Sequence, residues 1–348
     1  MTYKVLLSEV YIGTMIQAAK DIGVEVIAAQ ETGGFGSDIQ RHNWPDVRVI
    51  PSRSSWLEKT ELPRDNRWFM GAQPPCAGGS MVTPGHARGG LENPKSAFKI
   101  TKAYLEYAYA QKPPIIVIES VPGTLKLCGD DICRIRDEFG PEYGVAFVLD
   151  NSSHYGCVSL RKRLWHVHYR KDLFPNGLSW TRPPATKRNM EDVLKDVPVE
   201  EGHGVSKSQL GVFEKFKNLW PAMPQNEYAN QFLRKSGRWD LVPPGTVKSK
   251  QTGEMFVFYE SIASYRTGYA KTVPTITGST LLIHPDGTRP LTTREYLRVN
   301  GMPDSFSFPA SVAQSKHITF IGKTVSLGIA KWVFQNVVDN LKSLEVEA

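Results

Sequence analysis

Cysteine is scarce. Cys76, Cys128, Cys133 and Cys157 are the only four in 348 residues, too few for a disulfide framework and consistent with an intracellular chain. Cys128 and Cys133 lie in KLCGDDICR, spaced more widely than a zinc pair and without a second pair to complete a site. No metal is expected, and both read as helix cysteines facing a core. The chain also lacks any run of about 18 apolar residues, so no spanning helix and no membrane partner are expected. MTYKVLLSEV reaches Ser8 and Glu9 too soon for a signal peptide. There is no internal repeat and no low-complexity tract. Charge of one sign is in only mild excess, 42 Lys and Arg against 35 Asp and Glu, or +7. That leans towards a polyanionic partner without establishing one. With 41% hydrophobic and 22% charged residues, the composition is globular and excludes wholesale disorder. The expectation is a cytoplasmic monomer, in a host cell's cytoplasm if the chain is viral.

What is present reads as an α/β protein. Short apolar runs at residues 3–7, 24–29, 68–70, 115–118, 145–149 and 164–167 predict strands. Helical spacing over residues 12–22 and 94–111 predicts helices, the second with Pro94 in its first turn. Strands alternating with helices predict a doubly wound, mostly parallel sheet. From about Lys171 the rhythm stops, and Pro, Gly, Lys and Arg dominate. The reading is a first domain at 1–171, completed by 305–348, and a smaller irregular domain at 172–304. A long helix over residues 321–341 is predicted to pack back on the first domain.

Three segments carry chemistry. GAQPPCAGGS follows a predicted strand, and strand carboxyl ends are where ligands bind in such sheets. Two prolines fix the approach to Cys76, and Gly78 and Gly79 are read as freeing the loop beyond it. A thiol so placed suits a nucleophile, although an inert loop cysteine is the commoner case. VIESVPG puts Glu119 at the end of the next strand, as an acid or merely as a residue before the Pro122 helix. SLRKRLWHV places Arg161 and Arg163 on one face of a strand, or simply in a solvated charge run.

The order PPC, ESV, RKR, RPLTTREYLRVNGMPD and IGKTV resembles the DNA cytosine-5 methyltransferase family, over nearly the whole chain. The resemblance implies a Rossmann-like S-adenosylmethionine domain plus a target-recognition domain at 172–304 that reads double-stranded DNA. It implies that Cys76 adds to cytosine C6, with Glu119 serving N3 and Arg161 and Arg163 holding the base or the carboxylate. The base is flipped out of the duplex. Ser80, His86 and Arg88 in the loop after Cys76, and Arg234 and Arg238 in RKSGRWD, are expected to bind DNA.

The donor half departs from the family pattern. Where the family has a glycine turn, this chain reads EVYIGT, keeping Gly13 but placing Tyr11 and Thr14 at glycine positions. Tyr11, Ile12, Gly13, Glu31 and Lys323 are expected to line the cofactor site, with Tyr11 filling part of it. Glu31 matches the ribose-binding acid. Pro51 and Ser52 replace a Gly-Asp, Ser120 an asparagine, and Lys323 another. The donor is therefore S-adenosylmethionine, or methylene-tetrahydrofolate or another acidic one-carbon donor, the folate giving hydroxymethylation. An inactive DNA-binding relative is the remaining alternative.

Overall fold

The computed structural model describes residues 2–51, 60–80, 85–186, 188, 190–197, 207, 210, 284 and 289–346, with short strand pieces between 239 and 283. The chain forms two compact units. The first comprises Met1–Cys157, Arg161–Thr186 and Thr324–Ala348, and the second Val158–Leu160 and Lys187–Lys323.

The first unit holds strands β1 (Lys4–Ser8), β2 (Glu25–Gln30), β3 (Val49–Ile50), β4 (Trp68–Ala72), β5 (Ile115–Ser120), β6 (Tyr143–Asn151) and β7 (Lys162–Arg170). They form one sheet in the order β3-β2-β1-β4-β5-β7-β6. β1 to β5 pair in parallel, and β7 runs antiparallel to both neighbours. Helices α1 (Thr14–Asp21), α2 (Gly34–Asn43), α3 (Phe98–Gln111) and α4 (Pro122–Phe139) connect them. Ile116, Ile118, Met70 and Leu6 pack with Leu105 and Ala108 of α3 and Ile132 of α4 in one buried cluster. On the other face, Phe69 meets Phe334 edge-on at 5.1 Å between ring centroids. Such strands, buried on both faces, explain the continuous apolar runs.

The chain leaves β1 to one side and returns at β4 on the other. This is a topological switch point, where open α/β sheets bind ligands. The backbone N–H of Gln73 donates to the Ser8 carbonyl across it, at 3.1 Å.

Two predicted helices change. The expected 94–111 helix begins only at Phe98, because Asn93 turns the chain first. Its Oδ1 accepts from the Lys95 N–H at 3.0 Å, and the Ser96 hydroxyl accepts from the Phe98 N–H at 3.1 Å. Such side-chain bonds compete with a helical turn. The expected 321–341 helix is split by buried Thr324 and Ser326. Leu327–Val346, here α5, belongs to the first unit and packs on α1. Thr324 shares a 2.6 Å hydroxyl hydrogen bond with Thr14.

In the second unit, three strands (Trp239–Val242, Thr246–Ser249, Met255–Val257) form an antiparallel sheet, and Ser264–Arg266 pairs with Leu281–Ile283 in parallel. Helix Thr293–Val299 starts with a capping box between Thr292 and Glu295. Arg289 holds the Glu295 carboxylate with two guanidinium bonds, 2.7 and 2.8 Å. Much of the RPLTTREYLRVNGMPD block thus builds a helix start.

Candidate active site

The carboxyl rim of β4 and β5 and the start of β7 meet. Because β7 runs backwards, its first residues lie beside the last of β5: Glu119 pairs with Trp165 and Ser120 with Leu164. Arg161 and Arg163 thereby come to Glu119. Arg163 Nε stands 2.6 Å from Glu119 Oε1. All three are buried, Arg161 at 1%, Arg163 at 8% and Glu119 at 2% exposure. Cys76 occupies a short turn, Cys76–Gly78, just past β4, and is half-buried. Its thiol lies within the electrostatic reach of Glu119, Arg163 and Arg161. The four residues singled out from the sequence are therefore gathered.

Their charges do not cancel. Two guanidiniums face one carboxylate, leaving one positive charge in excess if Glu119 is ionised, and two if it is protonated. Burial raises the Glu119 carboxyl above the usual carboxylate range, while Arg163 and Arg161 pull it down. Burial likewise raises the Cys76 thiol, and the charge on Glu119 adds to the rise. Burial, then the neighbouring Arg163, pushes Arg161 well down. A proton on Glu119 removes the anion that opposes a thiolate and leaves the two cations that favour it. The acid and the thiol are thus coupled, and a proton held by Glu119 favours an ionised Cys76.

The loop beyond Cys76 is anchored at both ends. The Gly89 N–H donates to the Gly78 carbonyl at 2.9 Å, and the Ser96 hydroxyl donates to the Gly89 carbonyl at 2.5 Å. A Cβ on Gly79 would collide with Thr124 at the start of α4, and one on Gly78 would lie 2.6 Å from Ser96 Oγ. Gly78 and Gly79, read as granting freedom, instead permit close packing. Thr124 is held in turn by Ser120, hydroxyl to hydroxyl at 2.6 Å. Ser80 is half-buried, His86 exposed and Arg88 half-buried. The Asn93 side chain donates to the carbonyls of His86 and Arg88, at 3.0 and 2.6 Å. Arg234 and Arg238 lie outside the described residues.

The β1–β2 rim keeps more of the glycine turn than its sequence promises. Glu9 and Tyr11 both take φ +54° and Gly13 φ +88°. Left-handed φ costs a residue with a Cβ about 1–2 kcal/mol. Glu31 offsets it: Oε2 accepts from the Tyr11 N–H at 2.7 Å and Oε1 from the Gly33 N–H at 2.9 Å. Gln40 closes the loop by donating to the Tyr11 carbonyl at 2.7 Å. Gly13 lies flush against the Trp44 ring. Tyr11 is half-buried, its phenol pushed up to about 12 by burial and by Glu31. Ile12 is buried. Lys323 belongs to the second unit and is exposed. Pro51 is exposed, and Ser52 lies outside the described residues.

These residues fit a nucleoside-bearing cofactor. The left-handed turn leads into the N-terminus of α1, and Glu31 stands at the carboxyl end of β2. A carboxylate accepts up to about four hydrogen bonds and suits ribose hydroxyls.

The sequence reading passed over Gln73. It follows β4, is 9% exposed, and its side chain hydrogen-bonds Glu119. Its place at a strand end beside Cys76 was the available signal.

A doubly wound sheet with a thiol, an acid and two guanidiniums at its switch-point rim is a Rossmann-like α/β enzyme fold. The C-5 cytosine-specific DNA methylase family model matches residues 10–339, and the chain belongs to that family. It is similar to the Type II methyltransferase M.MthTI of Methanothermobacter thermautotrophicus, 24% identical over 303 residues, covering 86% of each chain. It is also similar to the Type II methyltransferase M.NgoPII of Neisseria gonorrhoeae, 23% identical over 310 residues, covering 82% of this chain and 81% of that one. Among solved structures, it resembles one described as a DNA modification methyltransferase encoded within an E. coli prophage. That match has a TM-score of 0.68 and 18% identity, covering 98% of this chain and all of that one. The Entamoeba histolytica methyltransferase EhMeth has a TM-score of 0.63 and 15% identity, covering 98% and 99%. The chain is thus a DNA (cytosine-5)-methyltransferase-type enzyme, and its family implies S-adenosylmethionine as the donor. No helix among the described residues is long and apolar enough to cross a membrane.

Proposed function

We propose that the protein methylates cytosine at C5 in double-stranded DNA through a covalent Cys76–C6 adduct with a flipped base. The observation that carries this is the buried cluster of Cys76, Glu119, Arg161 and Arg163, with its excess of positive charge. Cytosine C5 is a poor nucleophile until C6 is attacked. Cys76 supplies the thiolate, favoured by the two arginines. Glu119 gives a proton to N3, so the ring gains no net charge as the C6–S bond forms. C5 then carries enamine character. Bound S-adenosylmethionine supplies the methyl group. Loss of the C5 proton, expulsion of Cys76 as the thiolate and return of the N3 proton to Glu119 restore the neutral ring and the starting acid. Arg163 holds the Glu119 carboxylate, and Arg161 adds charge behind it.

Glu31 and the backbone of residues 11–13 hold the donor in this reading. Methylene-tetrahydrofolate, or an acidic donor paired with Lys323, draws no support from relatives named as methyltransferases. Residues 172–304, with Arg234 and Arg238, carry the DNA reading, and Ser80, His86 and Arg88 contact DNA near the flipped base. Replacing Arg238 is expected to weaken binding and lower the salt slope by about one if it contacts a phosphate.

The decisive test is incubation with duplex DNA containing 5-fluorocytosine and S-adenosylmethionine. A denaturation-resistant complex, absent for Cys76→Ser, is expected. No complex with the unmodified protein, while 5-methylcytosine still forms in ordinary DNA, would overturn the adduct.

A further inference from the structure

Glu119 has a second neighbour besides the arginines. β4 and β5 pair in parallel, Ala72 opposite Ile118. One residue further along, the same register sets Gln73 opposite Glu119. The backbone of Gln73 is fixed by its bond to Ser8 at 3.1 Å, and Pro74 and Pro75 stiffen the chain beyond it. The side chain has 9% exposure, and it donates to the Glu119 carboxylate. An amide donates without adding charge. It therefore holds the carboxylate without the further pull towards ionisation that a third cation would exert on Glu119.

Resting on the acid role given above to Glu119, we infer that Gln73 is a positioning residue for the reaction, orienting the Glu119 carboxyl towards the base and tuning its acid strength. Burial alone would leave Glu119 so attached to its proton that it would give it up poorly. A proton donor works best when its affinity lies near the operating pH. Arg163 and Arg161 from β7 and its lead-in, and Gln73 from the end of β4, lower that affinity, while Cys76 in its ionised form raises it. Without Gln73 the acid keeps its proton to higher pH yet delivers it less readily. The turnover plateau should fall while the high-pH limb of activity moves upward. A residue that merely packed would lower the plateau and leave the limb where it was.

The test is the pH profile of kcat/KM for methyl transfer into duplex DNA by Gln73→Leu, which keeps bulk and removes the donor. Gln73→Gly is the second variant should Leu disturb folding, and thermal melting checks both. About a tenfold lower plateau is expected, less than the about 10²-fold or more that loss of the acid itself would cost, with the high-pH limb shifted up by about half a unit or more, a direction set by removing a hydrogen bond to the charged form. Rate of 5-fluorocytosine adduct formation against pH should move the same way. An unmoved limb in a folded variant, with Glu119→Gln still inactive, would overturn the role of Gln73 alone. Full activity in Glu119→Gln would instead overturn the acid on which the inference rests.

Discussion

Two stretches of one sheet rim can be set side by side. At β4, β5 and β7 the residues are, apart from Ser120, those the family pattern anticipates, and Glu119, Arg161 and Arg163 converge as buried, charged groups around Cys76. At β1 and β2 the residues differ from the pattern, yet the backbone keeps the shape. Tyr11 adopts φ +54°, a conformation glycine would take freely, and Glu31 holds it there through the Tyr11 N–H. Where side chains do the chemistry, their identity is constrained. Where the backbone does the binding, side chains can change provided another residue restrains the turn.

Breaking the first stretch should have the largest effects. Cys76→Ser should cut turnover by about 10⁴-fold or more, as for other covalent nucleophiles, and normal product from that variant would end the comparison. Glu119→Gln should cost about 10²-fold or more in kcat. A loss under about threefold would make it structural, since an acid–base role contributes more than that.

The second stretch should yield in binding and stability together. Glu31→Ala removes the acceptor of two backbone amides. A hydrogen bond to a charged group is worth about 1.5–3 kcal/mol, so a fall in Tm of several degrees is expected, with at least about tenfold weaker S-adenosylmethionine binding by calorimetry. Weaker binding with unchanged Tm would mean that Glu31 does not restrain the turn. Tyr11→Gly should relieve strain of about 1 kcal/mol and keep donor affinity within about tenfold, because the turn persists.

The far face of β7 supplies a control on the fold alone. His166 and His168 are fully buried, linked to each other at 2.9 Å and to the Tyr109 hydroxyl at 2.8 Å. Burial depresses both, His166 to about 3. Below about pH 6.5 the unfolded chain binds protons that the folded one refuses. Stability should therefore fall as pH drops from about 6.5 towards 3, by up to about 1.4 kcal/mol per pH unit for each histidine. Denaturant titrations between pH 7 and 5 measure this slope, and a flat response would show that the pair protonates in place. Lys323→Asn should do least. Lys323 is exposed, and exposed charges are worth about 0–1 kcal/mol, so donor affinity should change by no more than about fivefold.

The first stretch was legible because strand ends announce themselves. A β-branched apolar run stops at Glu119 and an aromatic-led one before Cys76, and the pairing order turns those stops into neighbours. Gln73 escaped because its one signal, a place at a strand end three residues before Cys76, says nothing of Glu119 until the strand pairing is known. The turn at residues 9–13 was misread because a left-handed φ is visible in sequence only as glycine, and here Glu31 does the restraining. The break at Thr324–Ser326 was hidden by apolar spacing that runs across it, and the start at Phe98 by the turn that Asn93 makes. Pairing in the second unit joins segments with little helix or strand periodicity between them, which left the reading with nothing to count.

The packing of α5 on α1 bears on synthesis at the ribosome. Met15, Ile16, Ala18 and Ala19 of α1 are fully buried, and the element α1 packs on most extensively is the helix that begins at Leu327. While the chain grows, this apolar face stays uncovered until some 300 further residues have been added, on the order of 15–60 s at about 5–20 residues per second. The first unit cannot close as its early strands emerge, and it must wait for the second unit to be made. A nascent chain stalled before Thr324 should therefore bind hydrophobic-surface dyes and chaperones, and one released after Val346 should not.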